Sequence, residues 1–211
     1  MKQRSYAYIW VTWITGLLAG DRKCWGAAWY KAHTRNYTKR QGSTGLDEWI
    51  REHDEMVTEQ ATAERAAGFE VRVEDENKLS VKGEAAILGA KPDLIRFNGA
   101  TATIIDCKTG RQRESDFWQV LTYMLLAPSA LAHVGHRSLS GELRYRDGSV
   151  RSIPANDLTV EAQAKIVKAI KRIAQAEPLP YAPSEVECKY CDIADCKERS
   201  GGPLETKTDR F

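Results

Sequence analysis

The sequence predicts a mixed sheet flanked by helices, of α/β or α+β class, with a small cysteine-bound subdomain joining the two chain ends. Three observations predict it. Two β-type runs, "AAILGAKPDLIRF" and "ATATIIDCKT", flank Asn98-Gly99, the preferred pair for a two-residue hairpin turn. Long segments on either side carry apolar residues at helical spacing. A lone Cys24 near the start is answered by Cys188, Cys191 and Cys196 in "CKYCDIADC" near the end.

Taken in order, residues 1–35, rich in Trp, Tyr and Ala around Cys24, are expected to form one or two helices. "QGSTG", residues 41–45, has the composition of a loop with cap residues, and 46–67 is a long helical stretch stopped by Gly68. "FEVRVEDENKLSVKG" alternates apolar and polar residues about a turn-like Glu76-Asn77, which predicts a hairpin. After the hairpin at Asn98-Gly99, a helix is expected from Glu114 to Leu126. "GELRYRDGSVRSI" predicts a further hairpin turning at Asp147-Gly148. Residues 159–176 form an amphipathic helix, with Ile166, Val167, Ile170 and Ile173 on one face. The Pro-rich "EPLPYAPSE" then leads into the cysteines. The expected division is a core of residues 46–177 and a four-cysteine subdomain built from 1–45 and 178–211.

A chain of 211 residues can bury one sizeable core, and its formal net charge of only +2 means that any nucleic-acid surface must be local. The apolar stretch "YAYIWVTWITGLLAG" is too short to span a bilayer and has no secretory cleavage site, so a soluble, cytoplasmic protein without a membrane partner is expected. Five cysteines, an odd number, argue against a disulfide framework.

The strand ending in "DCK" poses a chemical question, because a carboxylate and an ammonium are costly at the end of an apolar run unless they are paired. A two-residue turn at Asn98-Gly99 would set Asp93 opposite Ile104, making Asp93 and Asp106 diagonal neighbours on the face that also carries Lys108. Two carboxylates and a lysine suit a hard divalent cation, magnesium or manganese, which polarises a phosphodiester oxygen and acidifies a bound water. A solvated Asp–Lys pair on a surface hairpin is the alternative.

"KPDLIRF", then "DCK" 13 residues later, then a helix bearing Gln119 and Tyr123 in "QVLTY" closely resemble the PD-(D/E)XK nuclease superfamily. The Q-x-x-x-Y helix resembles its RecB-like branch. The resemblance implies a restriction-endonuclease-like α/β fold, catalytic Asp93, Asp106, Lys108, Gln119 and Tyr123, and a metal held by His53, Asp93, Asp106 and the Cys107 backbone carbonyl. His53 is chosen over His33 because it lies on a helix just before the sheet. The family often adds an upstream acid, and the sequence does not choose among Glu74, Glu76 and Glu84.

One lone cysteine and a terminal C-x2-C-x4-C could hold zinc or an iron–sulfur cluster. One cysteine before the core and three after it resemble the CRISPR-associated RecB-like exonucleases and the AddB type, which implies that Cys24, Cys188, Cys191 and Cys196 bind a [4Fe-4S] cluster. The Pro-Arg pair frequent after the first cysteine is replaced here by Trp25-Gly26. Arg111 and Arg113, just past the site, and Lys165, Lys168, Lys171 and Arg172, on one helix, are candidate contacts to a phosphate backbone.

The resemblance thus implies a metal-dependent deoxyribonuclease, an exonuclease on single-stranded DNA, with nucleoprotein or CRISPR-adaptation partners. The alternatives are a structure-specific or restriction-type endonuclease and a non-catalytic DNA-binding assembly subunit with an iron–sulfur or zinc centre.

Overall fold

A computed structural model of the chain describes residues 2–40 and 46–201, so the "QGSTG" loop lies outside the described residues. In chain order the elements are β1 (Lys2–Gln3), β2 (Ala7–Trp10), α1 (Val11–Ala19), α2 (Trp25–His33), β3 (Thr34–Arg35) and α3 (Leu46–Ala66). They continue with β4 (Glu70–Val73), β5 (Leu79–Lys82), β6 (Ala86–Ala90), β7 (Leu94–Asn98), β8 (Thr101–Lys108) and α4 (Glu114–Ala130). The last are β9 (Ser138–Tyr145), β10 (Val150–Ile153), α5 (Val160–Ala174) and α6 (Glu185–Tyr190).

The main sheet has the order β10-β9-β8-β7-β4 and is mixed, with β8 and β9 parallel and the other pairs antiparallel. β8 occupies its centre, and Ala102 through Cys107 are all buried, as expected of a strand covered on both faces. Ile95, Phe97 and Ile104 join the core that α4 supplies through Val120, Leu121 and Met124. Leu94, Ile105 and Cys107 pack instead with Met56, Val57 and Ala61 of α3. The crossover from β8 to β9 runs through α4, which lies so close to the sheet that a side chain at Gly141 would overlap Val120.

Four expectations need correction. Ala7–Trp10 is a strand, pairing parallel with β6 in a second sheet of order β2-β6-β5; a short apolar run does not distinguish strand from helix when its partner lies far along the chain. Residues 69–83 are not a hairpin: β4 pairs with β7 and β5 with β6, across the 3-10 turn Glu74–Asn77. Val167 is 40% exposed and lies off the buried stripe of Ile166, Ile170 and Ile173. Finally, Asn98 pairs with Thr101, so the turn residues are Gly99 and Ala100, and only Gly99 takes positive φ, at +56°. A turn with glycine at its first central position needs only that one left-handed residue.

That last shift matters for the site. Leu94 faces Ile105, so one step further along the register sets Asp93 directly across from Asp106 rather than diagonal to it. The pairing moved by two residues, which preserves the side-chain alternation and keeps both carboxylates on one face.

Candidate active site

The site forms where β6 and β8 end and β7 begins, beside the N-terminal halves of α3 and α4. After β6 the chain bends through Lys91 and buried Pro92 and delivers Asp93, itself buried, to the start of β7. Asp93 Oδ2 accepts the Cys107 N–H at 2.8 Å and lies 3.3 Å from His53 Nε2. His53 stands on α3 one turn before Met56 and Val57, which fix that helix to the sheet. The hydrogen bond to Asp93 raises the His53 pKa, outweighing the opposite effect of burial.

Glu74 follows β4 at φ +36°, a left-handed conformation that costs a residue with a Cβ. Its N–H donates to the Asp93 carbonyl at 2.8 Å, and Lys91 Nζ reaches its Oε1 at 3.3 Å. His53, Glu74 and Asp93 each present a ligand atom, all within 4.8 Å of one another. Of the three upstream glutamates, Glu74 is the one brought beside His53 and Asp93. Glu76 is exposed and accepts the Val73 N–H at 3.0 Å, while Glu84 is exposed on the loop before β6.

Asp106 is completely buried. Its Oδ1 accepts from Gln119 Nε2 at 3.1 Å. Its Oδ2 has no hydrogen bond of good geometry and faces only the Lys108 ammonium, at 2.5 Å. Lys108 Nζ also donates to Gln119 Oε1 at 3.2 Å, and Gln119 Nε2 donates to the Tyr123 hydroxyl at 2.8 Å. Gln119 thus ties the carboxylate, the lysine and the buried tyrosine together. Burial raises the Asp106 pKa, helped by the Asp93 charge and opposed by Lys108. Burial acts against the Lys108 charge as well, but the Asp106 and Asp93 carboxylates prevail and hold that pKa above its ordinary value.

A cleft of about 450 Å³ opens over these groups, with Arg111 and Arg113 exposed along it. Asp116, Lys91, Trp10 and Trp49 also line it and were not singled out in the sequence. Asp116 is buried in the first turn of α4, where it accepts from the Arg113 N–H at 3.1 Å and the Tyr145 hydroxyl at 3.2 Å. Trp49 could have been noticed, since it precedes His53 by one helical turn. Lys165, Lys168, Lys171 and Arg172 do not line this cleft; Lys165 lies 4.2 Å over Trp118 and Arg172 4.2 Å over Trp25. The Cys107 side chain points to the opposite face, packed among aliphatic residues.

The family model described as the PD-(D/E)XK nuclease superfamily matches residues 14–196. The chain belongs to the PD-(D/E)XK nuclease superfamily. Membership makes it a metal-dependent nuclease with DNA as the implied substrate, and the mixed sheet between helices is the fold that goes with it. The solved structure described as "Crystal structure of SSO0001" is similar over 90% of this chain and 85% of its own, at 16% identity and a TM-score of 0.47. No curated protein matches the chain. Among the described residues, no helix is long and apolar enough to cross a membrane.

The donor set of this PD-(D/E)XK site fits a hard divalent ion. Two carboxylates and an imidazole converge in His53, Glu74 and Asp93, while Asp106 stands outside that trio with its Oδ2 ion-paired to Lys108.

In a separate cavity, Cys24, Cys188, Cys191 and Cys196 are free thiols that line the wall together with the cationic Arg22, Lys31 and Arg199. The N–H groups of Lys23 and Cys24 both donate to the Glu187 carboxylate, at 2.8 and 3.2 Å, which fastens α6 to the start of α2. Arg199 gathers the turns between the last three cysteines by donating to the Cys188, Cys191 and Ile193 carbonyls. The Ser200 N–H points at Cys188 Sγ from 3.4 Å. Burial raises the Cys191 and Cys196 pKa values, so these thiols stay protonated on their own, and a metal that bound them as thiolates would have to displace those protons.

Proposed function

We propose that this PD-(D/E)XK protein is a RecB-like, magnesium- or manganese-dependent exonuclease that degrades single-stranded DNA, resembling the CRISPR-associated exonucleases with a [4Fe-4S] cluster. The observation that carries the reading is Gln119, whose side chain touches Asp106, Lys108 and Tyr123 at once. It gives the Q-x-x-x-Y pattern a physical task, the alignment of a carboxylate and a lysine on one reacting centre.

In this reading His53, Glu74, Asp93, Asp106 and the Cys107 carbonyl hold the metal, which supplies Lewis acidity and an acidified water when bound. Lys108, kept protonated by its carboxylate neighbours, stabilises the charge that develops on the phosphate oxygens. Gln119 holds Lys108 and Asp106 in place, and Tyr123 buttresses Gln119 from the buried side of α4. Arg111 and Arg113 contact the phosphate backbone of the incoming strand; Lys165, Lys168, Lys171 and Arg172 track it further away.

Cys24, Cys188, Cys191 and Cys196 hold the cluster, and Arg22, Lys31 and Arg199 offset its negative charge. Functionally, residues 1–45 and 178–211 form the cluster-binding unit and 46–177 the nuclease core, although β2 and α1 also pack into that core. Nucleoprotein or CRISPR-adaptation partners in the cytoplasm complete the reading.

Degradation of end-labelled linear single-stranded DNA, compared with a covalently closed single-stranded circle, tests it. Mononucleotides or short products from the linear strand with the circle untouched are expected. Cutting of the circle replaces this reading with the endonuclease alternative. Binding without any cleavage of either replaces it with the assembly subunit.

A further inference from the structure

We infer that Trp49 is a nucleobase-stacking residue of the active-site cleft, gripping an unpaired base of the strand whose phosphate lies at the His53, Glu74 and Asp93 cluster. The inference rests on the single-stranded reading above. Trp49 lines the cleft yet leaves 50% of its surface exposed, although indole is among the costliest side chains to leave in water. Its ring stacks on His53 at 5.6 Å between centroids and 28° between planes. One face of the indole is thereby oriented by the same imidazole that reaches Asp93, and the open part of the ring borders the cleft.

Position and charge specify the occupant. Arg111, Arg113 and Lys91 supply cations for phosphates along the cleft, and an aromatic platform beside them is the combination that single strands require. A duplex keeps its base faces stacked and offers only edges, so an indole in this place discriminates in favour of an unpaired strand. Arg111 and Arg113 would act on any polyanion; Trp49 would act only on a base.

The test measures binding by fluorescence anisotropy, with calcium replacing the catalytic ion, for a labelled oligothymidylate and for an abasic oligonucleotide of equal length. Loss of one stacking contact corresponds to roughly tenfold weaker binding. Trp49→Ala is expected to bind oligothymidylate about tenfold more weakly and the abasic strand as wild type does, with Trp49→Phe recovering most of the loss. An equal loss on both strands would assign Trp49 to the support of His53 alone and overturn the inference. So would unchanged binding of oligothymidylate. Wild-type protein that binds only duplex DNA overturns the single-stranded reading itself, and this inference with it.

Discussion

Replacing Glu74 by Gln should leave the metal-free protein close to wild-type stability while removing most of the stabilisation that a divalent ion provides. Glu74 and Asp93 present carboxylate oxygens within 4.8 Å of each other, which at an effective dielectric of 20 is about 3.5 kcal/mol of repulsion. Glu74 is 35% exposed and has Lys91 at 3.3 Å, an attraction of about 5 kcal/mol at the same dielectric, so the two charge effects largely offset each other. Removing the charge therefore moves Tm in EDTA by no more than about 2–4 °C, the equivalent of about 1 kcal/mol for a chain of this size. Glutamine keeps the shape and the N–H bond to Asp93, so the backbone is undisturbed.

With metal at a hundred times its Kd, wild type gains about 2.7 kcal/mol, a rise of roughly 5–11 °C. Loss of an anionic ligand weakens binding at least as much as loss of an outer partner does, about 10–100-fold, and leaves the variant with about 1.4 kcal/mol or less. Thermal unfolding with and without magnesium or manganese reads both effects. An undiminished metal-induced rise refutes the assignment of Glu74.

Gln119→Leu severs the link between Asp106, Lys108 and Tyr123, and misplacement of this kind should lower kcat by about a hundredfold with little change in KM; steady-state kinetics showing an unchanged kcat would remove the aligning role. Cys191→Ser should lose the broad absorbance near about 400 nm expected of an iron–sulfur protein and unfold at lower temperature, because the centre ties both chain ends. A colourless, zinc-replete wild type would contradict the cluster. Burial alone would raise the Glu64 pKa, but Arg144 and Arg96 outweigh it and hold it below its ordinary 4.5. A lowered pKa gives stability that is complete above pH 4.5 and is lost as pH falls through the folded-state value. Glu64→Gln should therefore cost about 2 kcal/mol at neutral pH, with the gap to wild type closing in acid; a gap that widens on acidification would reverse the sign.

The site was more legible in the sequence than the sheets around it, for a physical reason. Asp93, Asp106, Lys108, Gln119 and Tyr123 lie within one β-hairpin and the helix that follows, so local alternation and helical spacing nearly determine how they meet. Even a displaced turn did no harm, because the pairing moved by two and side-chain parity survived. His53 came from chain order, since a long helix just before the sheet carries it whereas His33 sits too early, close to Cys24. Glu74 could not be chosen over Glu76 and Glu84, since the choice depends on a left-handed backbone and a bond to the Asp93 carbonyl. The β2–β6 pairing and the separate partners of β4 and β5 are contacts between distant segments, and nothing in the local pattern "YAYIW" or "FEVRVEDENKLSVKG" encodes them. Trp49 had only its one-turn spacing from His53 to mark it, and an exposed aromatic gains meaning once a cleft is seen beside it.

The central claim is that the hydrolysis proposed here is carried by the metal-binding carboxylates and Lys108 at the end of β8. Its most direct test is the cleavage of end-labelled single-stranded DNA by wild type, Asp106→Ala and Lys108→Ala, with magnesium or manganese and with EDTA. Cleavage by wild type only when metal is present, reduced at least about a hundredfold in each variant, is the expected result. Variants that cleave as fast as wild type, or wild-type cleavage that persists in EDTA, would contradict it.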